Sequence, residues 1–491
     1  MLSVDQCREL TAAFTEHRYT VDAVVAGIGE EAHRALGRNS TIPAVRALAG
    51  RDDPLATLTR LWPLQRPVSR AAFDRALPGL VGPLVEAQIL AATDEQVRAE
   101  IDIRPYASDD GDFWVVSDLS PNLDTAVAPM RPDLVLGLSA ASTTLAQLTI
   151  RRPVDRALDL GTGCGVQSLH LAQHSAKVVA TDLNPRALAL ARLTAMLNGI
   201  DLDLREGSLY APVAGERFDL ITSNPPYVMS PPTGASRLTY REGDIPADGL
   251  VEQVVTAGAD HLTEGGVLQV LGNWAHVRGQ DWTDRIAGWL QRTGCDAHVV
   301  QREVLDPAAY VEVWLSDAGL AGSRVYADRY RAWLDYFDQL QIEAVGLGWL
   351  VLHRAGRDHP HVRIEDWPHP LEQPIGPTLA RELDCVDLER RLSDQQLLDR
   401  RWVLAPDVIE ETSGRPGSAD PEHVIFRQQR GFRRAVALDT ATAGILGACD
   451  GELTLGQIVD SVAQLLSVEP GDLTGQSLPR IRPLIVDGLI H

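Results

Sequence analysis

A doubly wound α/β domain of seven strands, flanked at each end by a winged-helix-like α+β module, is the fold this sequence predicts. Three observations lead to it. Short β-rich runs alternate with helix-like runs from about 130 to 356, as in a largely parallel sheet wrapped by helices. The chain has 491 residues, room for about three domains at ~150 residues each. Helix-periodic segments followed by a hairpin signal stand before the alternating region, and a hairpin signal followed by helix-periodic segments stands after it.

Residues 1–129 make the first module. Apolar positions recur at helical spacing in Ala44-Val45-Leu48, in Leu55-Leu58-Leu61 and from 81 to 90, with turn signals at Asp53-Pro54 and Pro78-Gly79. The β-rich run Phe113-Trp114-Val115-Val116-Ser117 follows the turn Asp109-Asp110-Gly111, so the helices are expected to end in a hairpin. Winged-helix modules often bind DNA, but the scarcity of basic charge here favours packing or protein recognition.

The central domain, 130–356, is expected to place its strands at 157–160, 178–181, 202–204, 218–221, 266–270, 297–300 and 345–352. An aromatic-rich insertion at 306–341 separates the last two. It carries Tyr310, Trp314, Tyr326, Tyr330, Trp333, Tyr336 and Phe337 in a chain that is only 5% aromatic, so it either covers a substrate or buries its own stripe. A Pro-rich linker, 357–375, leads to the terminal module, 376–491. There a hairpin at 423–438 turns at Gly431, and helices follow around 445, 458–465 and 478–489. Arg427, Arg430, Arg433, Arg434, Arg480 and Arg482 form the best local basic patch, which suits either nucleic-acid contact or a solvated strand face.

Forty-five basic against 67 acidic residues leave a formal charge of −22, which opposes general coating of a polyanion. Lys177 is the sole lysine, and the resulting arginine bias carries no functional message. The five cysteines are widely spaced with no CxxC and no adjacent histidine pair, so neither a disulfide framework nor a metal site is expected. Charges within the first ten residues and the lack of a long apolar run point to a cytoplasmic protein without a membrane span. Nothing in the sequence sets the oligomeric state.

Chemistry is concentrated at three strand ends. The first strand runs into Asp159-Leu160-Gly161-Thr162-Gly163-Cys164-Gly165, where alternate glycines allow a tight turn and close approach to a ligand at a helix start. The spacing is G-x-G-x-G rather than G-x-G-x-x-G, and the acidic residue before it suits a cation-bearing cofactor better than a pyrophosphate. The second strand ends at Asp182-Leu183, about 20 residues on, where a carboxylate can accept both hydroxyls of a ribose. Asn184-Pro185 then opens a helix, so capping and ligand binding can coexist there.

After the fourth strand stands Asn224-Pro225-Pro226-Tyr227. Two prolines hold the chain extended and remove N–H donors, leaving carbonyl acceptors and the Asn224 amide oxygen at the sheet's C-terminal edge. A planar amino group can donate both its hydrogens to such a corner while Tyr227 stacks on its plane. That orients a poor nucleophile toward an electrophilic methyl without a strong base.

Taken together, these residues resemble the class I S-adenosylmethionine-dependent methyltransferases, a Rossmann-like fold. Within them the likeness is to the small N-methyltransferase branch that contains release-factor glutamine methyltransferases and rRNA guanine and adenine N-methyltransferases. The resemblance covers 130–356. It implies S-adenosyl-L-methionine as cofactor, with Gly161, Gly163 and Gly165 under its methionine part, and Asp159 and Thr162 in the same loop. It also implies Asp182 and Leu183 at the ribose, Ser208 and Leu209 near the adenine, and Asn224 with Pro225 on the target amino group. The segment 139–145 would lie over the cofactor. Ser208 departs from the Asp common in relatives. The expected reaction is N-methylation of an amide or exocyclic amino nitrogen, of a protein or peptide in preference to RNA or DNA. A non-catalytic cofactor-binding regulator and, by fold analogy alone, an NAD-dependent oxidoreductase are the competing readings.

Overall fold

The computed structural model describes residues 2–109, 111–121, 123–125, 131–232, 245–416 and 421–491. The expected boundary at 129/130 and Asp110 of the expected turn lie outside the described residues. The chain divides into two compact units, Met1–Ala146 with Arg152–Trp367 and Gln147–Arg151 with Pro368–His491.

The first unit is built on one mixed sheet. Its strands are β1 (Val154–Leu160), β2 (Ser175–Asp182), β3 (Asp203–Glu206), β4 (Phe218–Ser223), β5 (Leu262–Val277), β6 (Asp296–Leu305), β7 (Ile342–His353) and β8 (Val362–Asp366). Their spatial order is β3-β2-β1-β4-β5-β7-β6-β8. β7 runs antiparallel to β5 and β6, while the other neighbouring pairs are parallel. The order reverses between β1 and β4, so a crevice opens beyond their carboxyl ends, where open α/β sheets bind ligands.

All seven expected strands are present, and the sheet has an eighth. β8 lies within the segment expected to be a linker, pairing in parallel register with β6 from Ala297↔Val362 to Gln301↔Asp366. It gives no apolar signal because it is an edge strand with no fully buried side chain. β5 is three times its expected length. Its first half pairs with β4 and its second half continues along β7 to Val277.

Helices α1 (Val166–Leu171), α2 (Pro185–Leu197), α3 (Gly249–Gly258) and α4 (Trp282–Gln291) cover the sheet. Pro185 sits at the first position of α2 with Asn184 as N-cap, accepting from the Arg186 N–H at 3.0 Å. The insertion folds as α5 (Pro307–Asp317) and α6 (Tyr326–Gln339), and its rings do bury one another: Tyr310, Trp333 and Phe337 are buried with Val228 and Met229 in one cluster.

The N-terminal region is not an independent module. Its seven short helices share one apolar core with Val166 and Leu169 of α1 and Leu190, Leu193 and Leu197 of α2. The expected hairpin is present, Ile101–Ser108 against Gly111–Asp118. Its outer strand meets α2 through side chains one helical turn apart: the Val116 N–H donates to Thr194 Oγ1, and the Trp114 N–H to Asn198 Oδ1, whose Nδ2 returns a bond to the Trp114 carbonyl. A separate three-stranded sheet, Val68–Ser69, Gln96–Ala99 and Leu90–Ala92, precedes the hairpin.

The second unit surrounds a core of Trp402, Phe426, Ile445, Ile458 and Ile481. The expected hairpin forms as His423–Gln428 and Ala435–Leu438, joined by a third strand, Val408–Ser413. Four of the six arginines of the expected basic patch are ion-paired, while Arg430 and Arg433 are exposed. Arg427 pairs with Glu411 at 2.7 Å, Arg434 with Asp487 at 3.3 Å, Arg482 with Glu389 and Asp394 at 2.6 Å each, and Arg480 with Asp439. Among the described residues, no helix is long and apolar enough to cross a membrane.

Candidate active site

The strand ends that carry the motifs meet at the β1/β4 switch point. Gly161, Gly163 and Gly165 all take left-handed backbone angles, with φ of 77°, 55° and 87°. A Cβ at Gly165 would also lie 3.3 Å from the Ala191 backbone, so glycine is required there twice over. The loop's N–H groups turn inward: those of Gly161 and Thr162 donate to the Thr181 carbonyl at 2.9 Å each, and that of Gly163 to Asp182 Oδ2 at 2.8 Å. Such a loop has spent the donors that a pyrophosphate would need, which leaves it suited to a cationic ligand.

Asp159 differs from its expected ligand-facing role. It is 1% exposed, and its Oδ2 accepts from Thr162 Oγ1 at 2.7 Å and Ser168 Oγ at 2.6 Å. The carboxylate therefore braces the loop against α1 from beneath. Burial pushes its pKa up from 3.8 to about 6, despite the two hydroxyl bonds that pull it down. A raised folded pKa means the contribution to stability is full below pH ~3.8 and is lost as pH rises through ~6, a span worth about 3 kcal/mol. Asp159→Asn is expected to flatten that part of the pH–stability curve, read as urea midpoints between pH 4.5 and 7. Equal pH dependence in variant and wild type would overturn this.

Asp182 holds the place the sequence assigns to a ribose partner. Its Oδ1 accepts from the Asn184 N–H and its Oδ2 from the Gly163 N–H, both at 2.8 Å. Two oxygens offer about four acceptor sites, so one per oxygen remains for a diol. Burial lifts its carboxyl above the ordinary range. Leu183 beside it is 55% exposed, an apolar surface next to the carboxylate. Ser208 is exposed and Leu209 half-buried, the latter at φ 48°, an unfavourable angle for leucine. The Gly207 N–H donates to the Asp182 carbonyl at 3.0 Å, which brings this corner beside the second strand's end.

At the fourth strand, Ser223 Oγ donates to the Leu160 carbonyl at 2.9 Å and ties the end of β4 to that of β1. Asn224 follows immediately, and its Oδ1 is buried with no hydrogen-bond partner among the described residues. An orphaned amide oxygen at this depth costs about 1–3 kcal/mol and marks a site awaiting a donor. Pro225 is buried; Pro226 and Tyr227 are half-buried. Burial pushes the Tyr227 phenol up to about 12, and its ring meets Trp314 edge-on at 6.2 Å.

Three supporting groups escaped the sequence reading. Ser168 shares Asp159; Gln167 Nε2 donates to the Ser142 carbonyl at 2.7 Å, fastening the 139–145 segment to α1; and Asn273 of β5 is fully buried with Oδ1 unpartnered. Asn273, a polar residue inside an apolar strand, was the one with a visible signal.

Sheet order, glycine loop and acidic second strand are arranged as the resemblance to the class I S-adenosylmethionine-dependent methyltransferases implies, with Asn-Pro-Pro-Tyr following the end of β4. Residues 137–281, less than a third of the chain, match the family model described as the methyltransferase small domain. Residues 16–100 match a model described as a domain of unknown function (DUF7059). Among similar proteins, the release factor glutamine methyltransferase of Geobacter sulfurreducens is 36% identical over 155 residues, 29% of this chain and 52% of that protein. The protein of the same name from Deinococcus radiodurans is 53% identical over 122 residues, 23% of this chain and 44% of that protein. The ribosomal RNA small subunit methyltransferase C of Salmonella arizonae is 31% identical over 139 residues, 28% of this chain and 36% of that protein. The chain thus spans about half the length, or less, of these three curated relatives.

Proposed function

We propose that this protein is an S-adenosylmethionine-dependent N-methyltransferase whose acceptor is a planar primary amide, the side chain of a protein glutamine. The observation that carries the reading is the buried, unpartnered Asn224 Oδ1 immediately before two prolines. S-adenosylmethionine, when bound, supplies a methyl carbon made electrophilic by its sulfonium. Asp182 would hold the ribose hydroxyls, Leu183 and the Ser208-Leu209 corner would flank the adenine, and Gly161 to Gly165 would lie under the methionine part. Asn224 Oδ1 and the Pro225 carbonyl each accept one hydrogen of the acceptor nitrogen, which fixes its plane and aims its lone pair. Tyr227 closes one face of that plane. As the nitrogen–methyl bond formed, the methyl carbon's bond to sulfur would break, leaving the neutral thioether S-adenosylhomocysteine. The methylated nitrogen, cationic once it has attacked, would then give its surplus proton to water along the hydrogen bond to one of these oxygens, so no strong base is required.

A nucleic-acid base is the second reading, favoured by the Salmonella relative's name. The ion pairs that occupy Arg427, Arg434, Arg480 and Arg482, together with the charge of −22, weigh against tracking phosphates. At the N-terminus, we read helix Pro54–Leu61, strand Val68–Ser69, helices Arg70–Ala76 and Val81–Glu86 and strands Leu90–Ala92 and Gln96–Ala99 as a winged-helix-like unit that holds polypeptide. We read 376–491 likewise as the terminal recognition module.

The test is transfer of tritiated methyl to ribosomal extract, split into protease-treated and ribonuclease-treated halves. Label that survives ribonuclease and is lost to protease supports the reading. Label confined to RNA, or tight calorimetric binding of NAD in place of S-adenosylmethionine, overturns it.

A further inference from the structure

The aromatic insertion is tied to the catalytic corner by hydrogen bonds as well as by packing. Met229 lies two residues beyond Tyr227, and side chains of α5 and α6 take both of its backbone polar groups. Its N–H donates to Tyr310 Oη at 3.0 Å, and its carbonyl accepts from Trp333 Nε1 at 2.5 Å. The same Tyr310 hydroxyl accepts Asn273 Nδ2 from β5 at 2.7 Å, so one oxygen joins the insertion, the sheet and the strand-end loop. Tyr336 Oη receives the Ala247 N–H at 3.0 Å, which fastens the far part of that loop to α6. Trp314 meets the Tyr227 ring itself.

The choice of tyrosine at 310 is informative. Its ring is fully buried among Val228, Met229, Val311 and Phe337, where phenylalanine would pack equally well. A hydroxyl there costs free energy unless donors meet it, and two do. The oxygen's value therefore lies in fixing the chain it bonds. Met229, Asn273, Tyr310 and Trp333 are all buried, so this arrangement is a frame and not a surface lid.

We propose that the 306–341 insertion is the scaffold that sets the orientation of the Asn224-Pro225-Pro226-Tyr227 turn, with Tyr310 as positioning residue and Trp333 as its counterpart on the opposite side of Met229. The proposal rests on the amide-methyltransferase reading for its kinetic consequence, while the geometry it asserts is independent of the acceptor. A displacement of the turn by about 1 Å is enough to cost a transfer reaction up to about 10²-fold.

The experiment compares wild type with Tyr310→Phe and, separately, Trp333→Phe in the full chain. Hydrogen exchange resolved at the Met229 amide is expected to accelerate at least about tenfold in Tyr310→Phe, with exchange at β1 amides unchanged. Affinity for S-adenosylmethionine by calorimetry is expected to stay within about twofold, because its site is built from β1, β2 and their loops. Methyl transfer to a capped glutamine peptide is expected to lose about 10- to 100-fold in kcat with KM little altered in both variants. Unchanged exchange at Met229, or kcat equal to wild type, overturns the proposal; a parallel rise in exchange at β1 would show general loosening and overturn it too. A wild-type protein that binds S-adenosylmethionine but does not methylate the peptide would sink the amide reading instead, and the exchange result at Met229 then decides the scaffold by itself.

Discussion

Asn224→Ala is expected to lower methyl transfer by about 10²-fold or more while leaving S-adenosylmethionine affinity within about twofold of wild type. The side chain stands one residue beyond the bond that ties β4 to β1, between Ser223 Oγ and the Leu160 carbonyl, so its backbone position is fixed by the sheet. Among the described residues its Oδ1 has no hydrogen-bond partner, so removing it breaks no such bond there. Stability should therefore hold or rise slightly, since a buried unsatisfied acceptor is removed. What is lost is the acceptor that holds one hydrogen of the target nitrogen. Single-turnover transfer at saturating cofactor is the measurement. Equal rates in variant and wild type would show that the orphaned oxygen does not touch the acceptor.

The central sheet was readable because its strands are apolar on both faces and interrupted by glycine, proline and asparagine at their ends. Val178, Val179 and Ala180 are all buried, as a covered parallel strand requires. The motifs were readable for a related reason: positive φ at Gly161, Gly163 and Gly165 and the stiffness of Pro225-Pro226 restrict which residues fit. β8 was not, because Val362 is 43% exposed and the strand is defined by backbone pairing to β6, which leaves no side-chain pattern. The orientation of Asp159 was also hidden. A carboxylate before a glycine loop reads equally as ligand contact or internal brace, and Ser168, nine residues on, settles it only once α1 is folded back. The union of the N-terminal helices with the central domain escaped notice because Leu190, Leu193 and Leu197 look like ordinary sheet-facing positions, yet they belong to the core the N-terminal helices build. The pairing of Arg427 and Arg434 within the basic patch was hidden because their partners, Glu411 and Asp487, are distant in sequence.

Asp182→Ala should weaken S-adenosylmethionine binding by about 10²-fold or more, with the damage arriving through two routes. Each carboxylate oxygen already accepts one backbone N–H, from Gly163 and from Asn184, and each has a site left for a ribose hydroxyl. Hydrogen bonds to a charged acceptor are worth about 1.5–3 kcal/mol apiece, so losing two of them is enough for the predicted drop. Removing the carboxylate also frees the Gly163 N–H, the one link between the second strand's side chain and the glycine loop, so the loop should exchange amide hydrogen faster in the variant. The pH dependence separates the routes. Burial raises the Asp182 pKa, so in the free protein the carboxyl takes up its proton at a higher pH than an ordinary carboxylate, and affinity falls as pH drops through that raised value. Asp182→Asn keeps an acceptor for one donor but cannot titrate; it should bind weakly at every pH and show no such fall. Wild-type affinity that does not fall as pH is lowered through the carboxylate range, together with an Asp182→Ala variant that binds normally, would remove the carboxylate from the cofactor site.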